Sequence, residues 1–219
     1  MKLGKILVFA LVLGFIFIYS QPSYAGQLEK GNSEEEIVGT TDLTSDTNTE
    51  ISEVLTFDEL VKEIANDQGI SEIQAARQVI SSRKSSNNLN RSISPYAATY
   101  RTVRTTFTVT STYKPSLNFY CETSEGGSFR GIIQIVNVGM NRAHLGTGKS
   151  KQFAGTVFTK LEDPNRIYWI VNGDFYDNGT TTGGGSVNIG LGKFANVAFN
   201  ISHASNHYKY IYLESYSYF

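Results

Sequence analysis

Residues 97–219 are predicted to form an antiparallel β-sandwich of about eight strands, an all-β C-terminal domain preceded by a short α-helical hairpin and a disordered acidic leader. Three observations predict this. Beyond Tyr96, short alternating or apolar runs are separated by turn signals such as SEGG and EDPN. Residues 56–83 carry two helix patterns, each with its own start signal. Residues 26–55 are polar and acidic without sustained periodicity, which predicts a disordered segment.

The first 25 residues read as a secretory signal peptide. Lys2 and Lys5 precede the apolar run ILVFALVLGFIFI, and PSYA ends in small residues, placing the cleavage point between Ala25 and Gly26. The apolar run falls short of the roughly 20 residues a membrane-spanning helix needs. The expected localisation is therefore secreted and extracellular, and the short basic-apolar signal with low cysteine use points to a Gram-positive bacterium. One cysteine, Cys121, allows no internal disulfide, so the fold has to rest on its core.

In the hairpin, Thr56 followed by Glu59 is a capping box, Leu60, Val61 and Ile64 have helical spacing, and Gly69 is a stop signal. Ser71 with Gln74 opens a second helix carrying Ile73, Ala76, Val79 and Ile80. The spacing in EIANDQGISEIQAARQVI also matches a DNA-reading helix-turn-helix, but the signal peptide argues against nucleic acid as a partner and the segment is not basic. Residues 84–96 read as a polar linker, which makes the hairpin a possible propeptide dispensable for the β domain.

Within the β domain, TYRTVRTTFTVTSTY predicts one long strand with Val103, Phe107, Val109 and Tyr113 inward and Thr102, Arg104 and the alternate threonines toward water. SLNFYCET aligns Leu117, Phe119 and Cys121 on one face, and SFRGIIQIVNVGM reads as a central strand. QFAGTVFTKL, EDPNR and RIYWIVNGDF predict a hairpin. DNGTTTGGG and HASNH read as loops between the last strands. Ile133, Ile135, Trp169, Val171, Ile211 and Leu213 are the expected core positions.

The near-zero net charge conceals an asymmetry. Residues 26–95 hold 13 Asp/Glu against 6 Lys/Arg, whereas residues 96–219 hold 7 against 11 and carry 21 aromatics. This predicts an acidic leader followed by a basic, aromatic-rich functional domain.

Candidate chemistry is sparse. Cys121 with His144, His203 or His207 has the residue types of a thiol nucleophile and base, but Cys121 shares a strand face with Leu117 and Phe119. His203 and His207 have the spacing of a metal pair only on a helix, and they lie between strands. Asp174 and Asp177 sit in a glycine-rich stretch without an EF-hand order. The GTGKS of HLGTGKSKQF lacks the first glycine of a phosphate loop. No catalytic, metal or cofactor residue is assigned, and the expectation is a protein that is not an enzyme.

The strongest signal is the terminus, YKYIYLESYSYF. Tyr208, Tyr210, Tyr212, Tyr216 and Tyr218 fall on even positions, with Ile211 and Leu213 on odd ones. On a strand this makes a tyrosine stripe backed by an aliphatic one. The core reading packs the rings over neighbouring strands; the functional reading makes them an amphipathic surface for lipid headgroups, wall sugars or a partner protein. The layout of signal peptide, ELVKEIANDQGIS leader helix, absent disulfide framework and Tyr/Thr-rich β part resembles the large secreted, heat-labile bacteriocins of bacilli, the geobacillin type. That resemblance implies an antimicrobial or envelope-directed protein and brings no site residues. The expectation is a secreted, non-catalytic, bacteriocin-like or envelope-binding protein with the bacterial envelope or membrane as partner. The alternative is an exported structural or inhibitor protein that meets another protein, with a hydrolase third.

Overall fold

A computed structural model describes residues 48–84, 94–126, 130–144 and 149–219. The expected signal peptide, the leader up to residue 47 and most of the linker lie outside the described residues. Among the described residues ten strands and two α-helices are formed: β1 (Thr49–Ile51), α1 (Phe57–Gln68), α2 (Glu72–Lys84), β2 (Thr99–Thr106), β3 (Ser116–Ser124), β4 (Gly131–Asn141), β5 (Ala143–His144), β6 (Lys149–Ser150), β7 (Gln152–Asp163), β8 (Arg166–Gly183), β9 (Gly185–Gly190) and β10 (Phe194–Tyr218). The predicted fold class is the one formed: antiparallel β in two main sheets with an N-terminal helical hairpin. No described helix is long and apolar enough to cross a membrane.

The local helix signals act as written. Thr56 and Glu59 close a reciprocal capping box, and Gly69 takes the left-handed conformation that ends α1. Ser71 and Gln74 repeat the box at the start of α2. Ile73 is the exception to the expected apolar face, since it is exposed.

One sheet has the order β1-β2-β3-β4-β9. Its inner face carries Val103, Leu117, Phe119, Cys121, Ile132, Ile135, Val138 and Met140, which pack on Phe153, Val157, Trp169, Val171 and Ile211 from the second sheet. Of the expected core positions, Ile135, Trp169, Val171 and Ile211 are buried, while Ile133 and Leu213 are only half-buried. Register shifts against β3 put Ile132 rather than Ile133 into the core. The long strand expected over 99–113 stops at Thr106; the chain turns back through a Thr110–Tyr113 bridge, and Phe107, Val109 and Tyr113 still reach the core.

The outer face of this sheet is not wet, contrary to the alternation. The helical hairpin lies on it, burying Phe57, Leu60, Val61, Ile64, Ala75 and Val79 against Tyr100, Tyr120 and Val136. Every residue of β3 except Ser124 is consequently buried. The buried polar groups are matched one by one. Arg83 meets Glu122 through two bonds of 2.9 and 3.0 Å, and Gln134 donates to the same carboxylate. Asp67 accepts from Tyr120 and Asn118, Asn137 joins Gln68 to Gln78, and Ser82 donates to the Val136 carbonyl. Glu63 accepts from Thr102 and Arg104. Glu63–Arg104 joins an acid of the leader to a base of the β domain, whereas Arg83–Glu122 has the reverse polarity.

Two expectations are corrected here. Part of the segment read as disordered is ordered: β1 pairs with β2, and Leu55 bridges to Tyr100. The hairpin read as dispensable is a third layer, because it supplies both the apolar cover and the ionic partners of β3. A chain beginning at Ala97 is expected to lose its cooperative thermal transition and to bind a hydrophobic dye, since it strips the apolar cover from β3 and takes Asp67 from Tyr120 and Arg83 from Glu122. Retention of a sharp transition within a few degrees of the full-length value would show that the hairpin is an accessory.

The second sheet is curled. β7 and β8 form the expected hairpin, and β10 pairs with β7 over Phe194–Phe199 before crossing to β8, which closes the three strands on themselves. Glycine permits the bend: Gly155 and Gly173 are cross-strand partners, and a Cβ added at Gly155 would lie 2.6 Å from the Gly173 Cα and 2.8 Å from the Phe153 ring. The two segments read as loops are corrected as well. Asp177–Gly183 continues β8 and pairs with β10, whose HASNH stretch holds register shifts and left-handed backbone at His203 and Asn206.

Candidate binding face

β10 presents its two faces as the alternation implies, with one interruption. Ile211 and Ser217 point inward; the Trp169 indole donates to Ser217 Oγ at 2.9 Å, and Ser217 is also bonded to Thr105. On the opposite side Tyr210, Tyr212 and Tyr218 are exposed (52 %, 52 % and 41 %), and Tyr216 is half-buried. Tyr208 does not belong with them. The register shift between His207 and Lys209 turns it toward the core, where it packs edge-on to Tyr113, lies 2.8 Å from the Thr110 hydroxyl and carries Lys151 Nζ 3.5 Å from its ring centre. The structure therefore brings together four of the five tyrosines.

Sequence reading missed the partners of that stripe. Opposite Tyr216 and Tyr218 on β8 stand Tyr168 and Arg166, and the outward face of β7 adds Phe158 beside Phe194. The rings form a connected strip: Phe194 to Phe158 at 5.5 Å, Phe158 to Tyr168 at 6.0 Å, Tyr168 to Tyr216 at 5.2 Å and Tyr216 to Tyr218 at 6.2 Å. Phe194 is 63 % exposed. The even phase of β7 and of the β10 start, opposite to inward Val157 and Val197, could have shown Phe158 and Phe194 facing away from the core, but their meeting depends on the curl, which is non-local.

The strip is held by polar bonds at its margin. The Tyr168 hydroxyl donates to Glu214 at 2.7 Å, Tyr210 donates to Asn172 at 3.0 Å, and His207 lies 2.8 Å from Asp174. Desolvation and the Glu214 carboxylate push the Tyr168 hydroxyl well above its usual range, so it remains a donor. Lys160 pairs with Glu162, and Arg166 pairs with Glu162 and Asp163 while lying over Tyr216. Elsewhere in the domain Arg101 pairs with Glu125 and Arg104 with Glu63, while Lys193, beside Phe194, is exposed.

The remaining candidates do not assemble. Cys121 is fully buried, its thiol pushed up by burial alone, and the three histidines lie on partly or fully exposed positions. Asp174 and Asp177 have separate partners, His207 and Lys151. Among the described residues no three His, Cys, Asp or Glu side chains are grouped to hold a metal ion. Part of the GTGKS stretch lies outside the described residues. No protein-family model, curated protein or solved structure matches the chain.

The burial of the inward tyrosines has a measurable consequence. Burial raises the Tyr100 hydroxyl to about 12 and pushes Tyr113 and Tyr120 higher still. Below about pH 10, the ordinary tyrosine value, folded and unfolded chains hold these protons equally. Above it the unfolded chain releases protons that the fold retains, so stability falls as pH rises from about 10 to about 12. The melting temperature is expected to drop across this window, with tyrosinate absorbance rising in step with unfolding. A melting temperature that stays constant to pH 12 would contradict the burial of these rings.

Proposed function

We propose that this chain is an exported, non-catalytic protein that docks on the bacterial envelope through the aromatic outer face of the curled sheet. The observation that carries the proposal is the strip of five touching rings flanked by Tyr210 and Tyr212, with Phe194, Tyr210, Tyr212 and Tyr218 open to solvent. Rings in that position do not serve the core, because the same strands already fill it from their other face with Ile167, Trp169, Val171 and Ile211. Large exposed apolar patches mark interaction sites, and tyrosine offers a flat apolar body with a polar tip. The bacteriocin-like reading belongs to the same proposal: docking is the step that any envelope-directed toxicity requires. The alternative, an exported structural or inhibitor protein, uses the same face against another protein, since aromatic side chains are also enriched at protein interfaces.

The triple substitution Tyr210→Ser, Tyr212→Ser and Tyr218→Ser tests the docking. These rings are outside the core, so each is expected to change stability by no more than about 0.5 kcal/mol. Retention on whole Gram-positive cells is expected to fall about tenfold or more, as for loss of several aromatic anchors. Unchanged retention, or unfolding of the variant without any cell binding by the parent protein, would overturn the reading.

A further inference from the structure

We infer that the ligand of this face is an uncharged polysaccharide chain, an inference that rests on the docking reading above and names what the face docks to. The charges nearest the middle of the strip favour this ligand over an anionic lipid surface. Attraction to anionic headgroups draws on basic residues near the surface, yet Lys160 and Arg166 are tied to Glu162 and Asp163. The carboxylates Glu214 and Asp174 stand among the rings and repel an anion. What complements rings and acceptors together is a ligand with apolar C–H faces and many hydroxyl donors, which is the chemistry of a sugar chain.

The acceptors are placed for this. A carboxylate has about four acceptor sites, and the structure gives Glu214 one bond from Tyr168 and Asp174 one contact with His207, leaving capacity on both for sugar hydroxyls. Asn172 lies opposite Tyr212 in the ladder and adds an amide, already fixed by the Tyr210 hydroxyl. The polar margin is therefore pre-ordered before any ligand arrives, which lowers the cost of binding. The ring planes also choose the form of the chain. Successive interplanar angles are 29°, 68°, 48° and 41°, so the rings do not share one plane. That surface suits a single twisted chain and not the flat face of a crystalline polymer.

The test uses the full secreted protein and a panel of immobilised neutral polysaccharides: chitin, amorphous cellulose, β-1,3-glucan, starch, mannan and glycan strands of cell wall freed of anionic polymers. Vesicles of phosphatidylglycerol form the comparison arm. Retention is expected on at least one polysaccharide, and raising salt from about 0.1 to 1 M, which shortens the screening length from about 10 to about 3 Å, should leave it within about twofold. The Tyr210→Ser, Tyr212→Ser, Tyr218→Ser variant should lose it at least about tenfold, and Glu214→Gln with Asp174→Asn should weaken it while preserving the melting temperature. Retention on the vesicles alone, abolished by salt, would overturn the polysaccharide inference and leave envelope docking standing. Retention on none of the panel while whole cells still bind would also overturn it, and failure to bind whole cells would remove the docking reading itself.

Discussion

The structure turns on β3 being covered from both sides. Once Asn118, Tyr120 and Glu122 share a strand with Leu117, Phe119 and Cys121, one face enters the sandwich core and the other has to find polar partners away from water. The hairpin provides them, Asp67 for Asn118 and Tyr120, and Arg83 for Glu122. Glu122 is 3 % exposed in its side chain, and removing one member of such a pair costs about 3–5 kcal/mol because the other charge is stranded. Whether the pair adds stability over an apolar replacement is a separate matter. Its role here is to dictate which surface the hairpin sits on and in what register.

With one sheet committed to cores on both faces, the other is left with a free surface. Curling β7, β8 and β10 onto themselves buries Phe153, Phe175 and Phe199 together and exposes the reverse side of the same strands. The bend requires Gly155 facing Gly173, where no side chain fits. Display of the aromatic strip is thus a consequence of closure. Tyr208 shows the boundary of that display, since one register shift is enough to move it from the stripe into a cation–ring stack with Lys151.

Much of this was legible in the sequence wherever the governing physics is local. Capping boxes, the left-handed Gly69, the EDPNR turn and the inward phase of Trp169, Val171 and Ile211 are decided by neighbours a few residues away. The tyrosine stripe was legible for the same reason, as strand alternation, up to the His207–Lys209 shift. Alternation fails on what covers a polar face: Thr102 and Arg104 look solvated until Glu63 is placed over them. DNGTTTGGG reads as a loop because its glycines favour turns, yet β10 supplies ladder partners for Asn178 and Thr180–Gly183. The opposite net charges of leader and β domain hint at only part of their contact: Glu63–Arg104 follows that polarity, and Arg83–Glu122 runs against it.

Native-state hydrogen exchange tests the claim that hairpin and sheet form one cooperative unit. Amides of α1 around Leu60–Ala65 and of β3 around Phe119–Cys121 should exchange with opening free energies equal within about 1 kcal/mol and with the same denaturant dependence, because uncovering β3 leaves its buried polar groups unpartnered. Exchange of the α1 amides through a smaller opening, several kcal/mol lower while β3 stays protected, would contradict it.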